Sequence, residues 1–245
     1  MKEETALITG AARRIGKAIA LSLADKGINI ILHYNSSEQE AQDCASLIRK
    51  SGVKLWLIKA DLSKTEETEY LFEKAKKEAG YINILINNAS IFLKDKIINF
   101  SYSDLFQNIK INAIAPLILS KKIAAQENEG NIINLLDSRI SDYDSNHAAY
   151  HLSKRMLYDL TRMMALEFAP KIRVNGVAPG LILPPPGEDP SFLEKLAPRN
   201  NPLQTYGNLK DITAAIWFLL NSHFITGQVI YIDGGRHVHG CMYGT

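Results

Sequence analysis

Tyr150 and Lys154 stand four residues apart in Tyr-His-Leu-Ser-Lys. On a helix that spacing puts a phenol and an ammonium on one face, pointing into the same space. A lysine there favours phenolate, lowers the phenol's pKa and makes Tyr150 a usable proton donor near neutral pH. A solvated helical face carries the same pair by chance, so its meaning depends on its surroundings. Near the N-terminus, Thr9-Gly-Ala-Ala-Arg-Arg-Ile-Gly16 has the form of a glycine-rich nucleotide turn. Gly10 permits the tight turn, Gly16 allows close helix packing, and free N–H groups at the helix start can hold a pyrophosphate. An arginine occupies the place where the middle glycine is expected, and that demands a reason.

The end of the second predicted strand, Leu-His-Tyr-Asn-Ser-Ser37, selects the cofactor. NAD-binding folds place an acid about 20 residues after the turn to bind the ribose 2′-hydroxyl. Here no acid occurs before Glu38. A carboxylate would repel a 2′-phosphate, and its absence removes that repulsion. Arg13 or Arg14 can add a charge-assisted contact, with the Ser36 and Ser37 hydroxyls nearby; Ser37 also reads as a helix cap. NADPH is therefore favoured over NADH. Asp61, after the third strand, either accepts a hydrogen bond from adenine or serves as a turn residue. Asn87-Asn88-Ala89-Ser90 closes the fourth strand, where small polar residues would line the cofactor floor.

These residues need a frame. Short β-branched runs predict strands at 6–8, 29–33, 55–59, 82–86, 131–135, 173–177 and 228–232. Amphipathic segments between them predict helices at 15–25, 38–49, 66–79, 104–125, 148–168 and 211–221. Continuous apolar strands alternating with helices imply a parallel sheet covered on both faces. The expectation is one α/β domain spanning 1–245, a doubly wound, Rossmann-like sheet of about seven strands. Helix starts are expected at the capping-box patterns Ser37–Glu40 and Ser63–Glu66, with a looser version at Ser101–Asp104. The segment 181–208, with three consecutive prolines, reads as a long irregular insertion at the ligand-binding edge of the sheet and is expected to act as a substrate lid.

The chain has 245 residues, 46% of them hydrophobic and 22% charged, an ordinary globular composition. A net charge of +2 is too small to make nucleic acid or membrane the main partner. No cleavable signal and no apolar run of about 18 residues is found. Cys44 and Cys241 lie far apart, so a reducing, cytoplasmic setting is expected. His237, His239 and Cys241 have suggestive spacing, but a short tail rarely preorganises a metal site, and none is expected.

The glycine-rich turn, Asn-Asn-Ala, Tyr-xxx-Lys, Pro179-Gly180 after the sixth strand and the terminal Asp-Gly-Gly, in this order, resemble the short-chain dehydrogenase/reductases over residues 5–235. The resemblance implies a homotetramer or homodimer, and it implies that Asn112 organises a proton-relay water. It extends the expected cofactor contacts to Gly10, Arg13, Arg14, Ile15, Gly16, His33, Tyr34, Asn35, Ser36, Asp61, Leu62, Asn88, Ala89, Ser90, Tyr150, Lys154, Pro179, Gly180 and Leu181.

One departure is informative. Most members carry a serine about thirteen residues before the tyrosine, and that position here is Asp137. Ser138 could substitute only if the loop shifts register. Arg14, Asp137 and the Asp-Gly-Gly-Arg-His run together resemble the pteridine reductase and dihydromonapterin reductase branch, which reduces pterins, and in some cases dihydrofolate, with NADPH. Reducing a pterin C=N bond needs hydride at carbon and a proton at nitrogen, which an acid beside the Tyr–Lys pair can help relay. Asp137 also reads as a turn or cap residue. By resemblance Phe92 lies over the pterin; from its own context it reads as a core aromatic under the lid. Arg14, Ser90, Asp137, Tyr150 and Leu181 complete the expected substrate contacts, and Arg236 or His237 is expected to approach a partner's active site. Two other readings remain: a carbonyl reductase of the same family acting on a 3-oxoacyl thioester, and a non-catalytic NADPH sensor.

Overall fold

Seven strands form: β1 (Thr5–Ile8), β2 (Asn29–Tyr34), β3 (Leu55–Lys59), β4 (Ile84–Asn87), β5 (Gly130–Leu135), β6 (Ile172–Pro179) and β7 (Val229–Ile232). The computed structural model describes residues 4–185, 187–189 and 191–239. Every neighbouring pair is parallel, in the order β3-β2-β1-β4-β5-β6-β7. The winding reverses between β1 and β4, which opens a crevice beyond their C-terminal ends, where such sheets bind ligands.

The helices are α1 (Arg14–Ala24), α2 (Glu38–Ile48), α3 (Thr65–Ala79), α4 (Tyr102–Ile109), α5 (Ala115–Ala124), α6 (Ala148–Glu167), α7 (Ser191–Asn200), α8 (Leu209–Asn221) and α9 (Arg236–His239). Because successive strand residues point to opposite faces, the apolar runs feed two cores at once. Ala6, Ile8, Ile30 and Leu32 pack with Ile19 and Leu23 of α1, Cys44 of α2 and Ile216 of α8. Leu7, Ile31, Leu85 and Ile132 face the other way, onto Leu71 of α3, Leu119 of α5 and Met164 of α6.

Several expectations need correction. The single helix expected over 104–125 is α4 and α5 joined by a π-helical turn, Lys110–Ile114. Its wider turn fits a buried asparagine, Asn112, whose bonds run sideways to other elements. Ser37 precedes α2 without a capping hydrogen bond, and α3 starts at Thr65 behind an uncapped Lys64, so neither expected capping box forms. Ser101 does cap α4, accepting from the Asp104 N–H at 3.1 Å. An unforeseen box, Asn208 with Asp211, starts α8.

The segment 181–208 is less irregular than its prolines imply, because it contains α7. Its ends are tied by the Gly207 N–H donating to the Leu181 carbonyl at 2.9 Å. Pro186, Pro190 and Cys241 lie outside the described residues, as does the side chain of His239. Among the described residues no helix is long and apolar enough to cross a membrane.

Candidate active site

The turn after β1 is built as its glycines demand. Gly10 has φ +63°, and a Cβ on Gly16 would sit 2.2 Å from the Gly10 carbonyl oxygen. Thr9 braces it, its Oγ1 accepting from the Asn88 and Ala89 N–H groups at 2.9 and 3.0 Å. Asn88 Nδ2 donates to the Thr9 and Gly10 carbonyls, and Asn87 Nδ2 donates to Asn134 Oδ1 at 2.8 Å. Both side-chain amides therefore brace the turn from behind.

His33 is corrected in the same way. Its Nδ1 accepts from the Gly10 N–H at 3.1 Å and its Nε2 donates to the Ala60 carbonyl at 3.0 Å. With both nitrogens spent and the ring buried, it holds the turn to the strand ends and has no side-chain atom left for a cofactor. Burial lowers its pKa from 6.5 to about 4, so it is neutral in the fold. Between those values the unfolded chain binds a proton that the folded chain refuses. Stability is present above pH 6.5 and is lost as pH falls toward 4, by up to about 3 kcal/mol. Thermal unfolding at pH 7 and pH 4.5 is expected to show a larger drop for the wild type than for His33→Gln.

Arg14, the first residue of α1, has a left-handed backbone, φ +54°, a conformation that costs a non-glycine residue about 1–2 kcal/mol. Its guanidinium crosses to the 181–208 segment, Nη2 donating to the Pro184 carbonyl at 2.8 Å. Arg13 beside it is extended and exposed. At the end of β2, Tyr34 is buried whereas Asn35 and Ser36 are exposed, and the first acid, Glu38, lies 3.9 Å from Lys59 Nζ. Asp61 adopts the turn role: its Oδ1 accepts from the Ser63 N–H at 2.9 Å, above a buried Leu62.

Tyr150, Lys154, Leu157, Thr161 and Met164 recur at helical spacing as the buried stripe of α6. The Tyr150 hydroxyl donates to Asp137 Oδ2 at 2.8 Å. Oδ1 of the same carboxylate accepts from the Arg139 N–H at 2.8 Å and so caps the short 3-10 turn Ser138–Ile140. Asp137 thus serves as the expected turn cap and also lies within hydrogen-bond reach of the Tyr150 hydroxyl. No register shift occurs, and Ser138 is buried within that turn.

The expected lowering of the Tyr150 pKa does not occur. Burial raises it well above 10, and the charge and hydrogen bond of Asp137 raise it further. Lys154 Nζ donates to the Leu135 carbonyl at 2.7 Å and lies 5.8 Å from the Tyr150 ring centroid. Desolvation brings Lys154 down to about 8. Burial first, and the Asp137 carboxylate second, set the phenol's high pKa.

Asn112, in the π-helical turn, is held by its side chain. Its Oδ1 accepts from the Ile91 N–H at 3.0 Å, and its Nδ2 donates to the Ile91 carbonyl at 3.1 Å and to Ser153 Oγ at 2.9 Å. Ser153 Oγ in turn donates to the Tyr150 carbonyl at 2.7 Å. The side chain of Asn112 therefore ties the loop after β4 to α6.

At the mouth, the Ser90 hydroxyl is exposed, and so is Phe92, at 57%. Phe92 is not a core residue; it stacks on His147 and meets Tyr150 edge to face. Pro179, Gly180 and Leu181 lead from β6 into the 181–208 segment, the Gly180 N–H donating to the Ile232 carbonyl at 2.9 Å. Arg236 and His237 are engaged within their own chain, Arg236 with Asp142 at 2.9 Å and His237 with Asp233 at 2.9 Å. Among the described residues no group of three or more His, Cys, Asp or Glu could hold a metal ion. Sequence reasoning missed Thr9, Ser153, Asp144, His147 and His151. The available signal was position: His147 precedes Tyr150 by one helical turn, and Ser153 lies within the Tyr–Lys motif itself.

A family model described as Enoyl-(Acyl carrier protein) reductase matches residues 10–237. FolM alternative dihydrofolate reductase 1 from Brucella canis, solved with NADP, superposes with a TM-score of 0.89 at 32% identity, covering 99% of this chain and 96% of that one. The 2-dehydro-3-deoxy-D-gluconate 5-dehydrogenase of Formosa agariphila is 30% identical over 96% of this chain and 93% of its own length. The 3-oxoacyl-[acyl-carrier-protein] reductase FabG of Staphylococcus epidermidis is 30% identical over 96% and 99%.

Proposed function

The chain belongs to the short-chain dehydrogenase/reductase family of NAD(P)-dependent oxidoreductases, and on that premise we propose that it reduces a dihydropterin or dihydrofolate to the tetrahydro form with NADPH. The observation that carries the reading is the 2.8 Å contact between the Tyr150 hydroxyl and the Asp137 carboxylate. A ketone offers this pair only an acceptor oxygen, which a carboxylate repels. A ring that carries N–H donors beside an acceptor nitrogen matches a carboxylate and a hydroxyl together. The likeness to a FolM dihydrofolate reductase supports the same choice.

The residues at the nucleotide turn fit NADPH: the bare backbone at Gly10 and Gly16, the exposed Arg13, Asn35 and Ser36, and a strand end whose first acid faces a lysine. When bound, NADPH supplies hydride to the ring carbon. Ile15, Leu62, Ala89, Pro179, Gly180 and Leu181 frame that cleft, with 181–208 as its lid. The open face of Phe92, with Ser90 and Arg14, holds the pterin.

Tyr150 delivers the proton to the ring nitrogen. Giving up that proton alone would strand a phenolate against a carboxylate, so the phenol oxygen is re-protonated from Asp137. Asp137, half-buried, takes the proton from solvent. Lys154, as the cation, offsets negative charge on the pair. Asn112 and Ser153 keep α6 and the loop after β4 in register. Apolar side chains exposed on α4 and α6, Tyr102, Phe106, Met163 and Leu166, support a homo-oligomer.

The test is loss of NADPH absorbance with dihydrobiopterin, dihydromonapterin and dihydrofolate, NADH being run in parallel. Turnover of at least one, with NADPH strongly preferred, is expected. Turnover of an acetoacetyl thioester with none of the three would replace this reading by carbonyl reduction.

A further inference from the structure

One face of Phe92 is already taken. Its ring stacks on the imidazole of His147, with centroids 3.9 Å apart and planes inclined by 15°, and its contact with Tyr150 is edge to face at 4.6 Å. With one face covered and the ring still more than half exposed, the opposite face is the one open to a ligand.

His147 is itself held. Its Nδ1 lies 2.9 and 3.1 Å from the two oxygens of Asp144. Asp144 also accepts from the Asn146 N–H at 2.8 Å, and its Oδ2 lies 3.2 Å from His151 Nε2 and 3.7 Å from Arg139 Nε. Burial alone would raise Asp144, but the Asn146 N–H and the two imidazoles hold it at about 2, so it is a carboxylate throughout the working range. An anion on Nδ1 fixes the proton there and fixes the ring plane. The other nitrogen, Nε2, is buried without a partner among the described residues. An apolar ring would avoid that penalty, so the use of histidine points to the orientation that the Asp144 bond supplies. The loop after β4 is pinned nearby as well: the Asp95 N–H donates to the Asn146 carbonyl at 2.8 Å, and the Asp95 carboxylate accepts from the Ala149 N–H at 3.3 Å.

We propose that His147 is a positioning residue for substrate: the imidazole oriented by Asp144 sets the plane of Phe92, and Phe92 sets the plane in which a flat heteroaromatic ring lies. This rests on the pterin reading. The effect is on binding, because His147 stands behind Phe92 and reaches neither Asp137 nor the Tyr150 hydroxyl among its observed contacts. It also gives the site a reason to favour planar rings over acyclic carbonyl compounds, which gain nothing from an oriented aromatic face.

The experiment is steady-state kinetics with dihydrobiopterin and NADPH on His147→Asn, His147→Phe and Asp144→Asn, each checked for folding by thermal unfolding. His147→Asn keeps a partner for Asp144 but has no aromatic face. It is expected to raise the KM for dihydrobiopterin roughly three- to tenfold, with kcat and the KM for NADPH within about twofold. His147→Phe restores the face and should recover most of the loss; Asp144→Asn, which only loosens the orientation, should give a smaller rise. In a Phe92→Leu background His147→Asn should add almost nothing, because both act through one ring. Unchanged KM in His147→Asn and Asp144→Asn overturns the proposal, as does an equal rise with and without Phe92. Should His147→Asn fail to fold, Asp144→Asn decides it: a raised KM for dihydrobiopterin supports the proposal and an unchanged one overturns it. A wild type that turns over no pterin fails the underlying reading instead, and the proposal falls with it.

Discussion

Replacing Tyr150 by phenylalanine is expected to lower kcat for dihydropterin reduction by about 10²–10⁴-fold, with KM changed no more than a few-fold. The hydroxyl removed is the donor to Asp137 Oδ2, and among the described residues no other hydroxyl is observed in contact with that carboxylate. The fold should survive. The ring stays in the buried stripe of α6, and loss of one hydrogen bond costs about 1 kcal/mol, a Tm shift of about 2–4 °C for a domain of this size. Kinetics and thermal unfolding on one preparation separate the two effects. Full activity in a folded Tyr150→Phe enzyme would move the proton donor elsewhere.

Asp137→Asn is expected to be nearly as severe, a loss of about 10²-fold or more in kcat, because an amide accepts the tyrosine hydrogen bond but cannot pass on a proton. The pH profile carries a second signature, from Lys154. Desolvation brings buried Lys154 down to about 8, so wild-type activity is expected to fall as pH rises above about 8 and the lysine loses its charge. The sign follows from Lys154 working as the cation. Asp137→Asn should keep that decline at a lower kcat throughout. Asp137→Ser, which installs the residue most of the family carries, should instead open the site to acetoacetyl thioester. A wild-type profile that rises through pH 8 would contradict the role of Lys154 as the cation.

Much of this architecture could be read beforehand. The apolar strands are buried on both faces, so their runs are continuous, and the parallel sheet follows from those runs and the helices between them. Tyr150 and Lys154 share a face because both belong to one stripe of α6. What was hidden depends on contacts distant in the chain. The π turn at Lys110–Ile114 exists around an asparagine whose partners are Ile91 and Ser153. His33 reads as a strand-end residue and turns out to brace Gly10 from 23 positions away. Nothing local shows that Lys154 bonds the Leu135 carbonyl or that the phenol is buried against Asp137, so the raised pKa of Tyr150 follows only from the packed structure. Arg14 is the mixed case: its place in the turn was visible, but its left-handed backbone and its reach to Pro184 were not.

Isotope transfer tests the central claim most directly. The enzyme would be given NADPH deuterated at both C4 positions, with dihydrobiopterin and acetoacetyl thioester present together, and the products read by mass. The expected result is a tetrahydropterin carrying one deuterium on ring carbon, with the hydroxyacyl thioester at background. Deuterium in the hydroxyacyl thioester and unlabelled pterin would contradict it, and would mean that the Tyr150–Asp137 pair reduces a carbonyl after all.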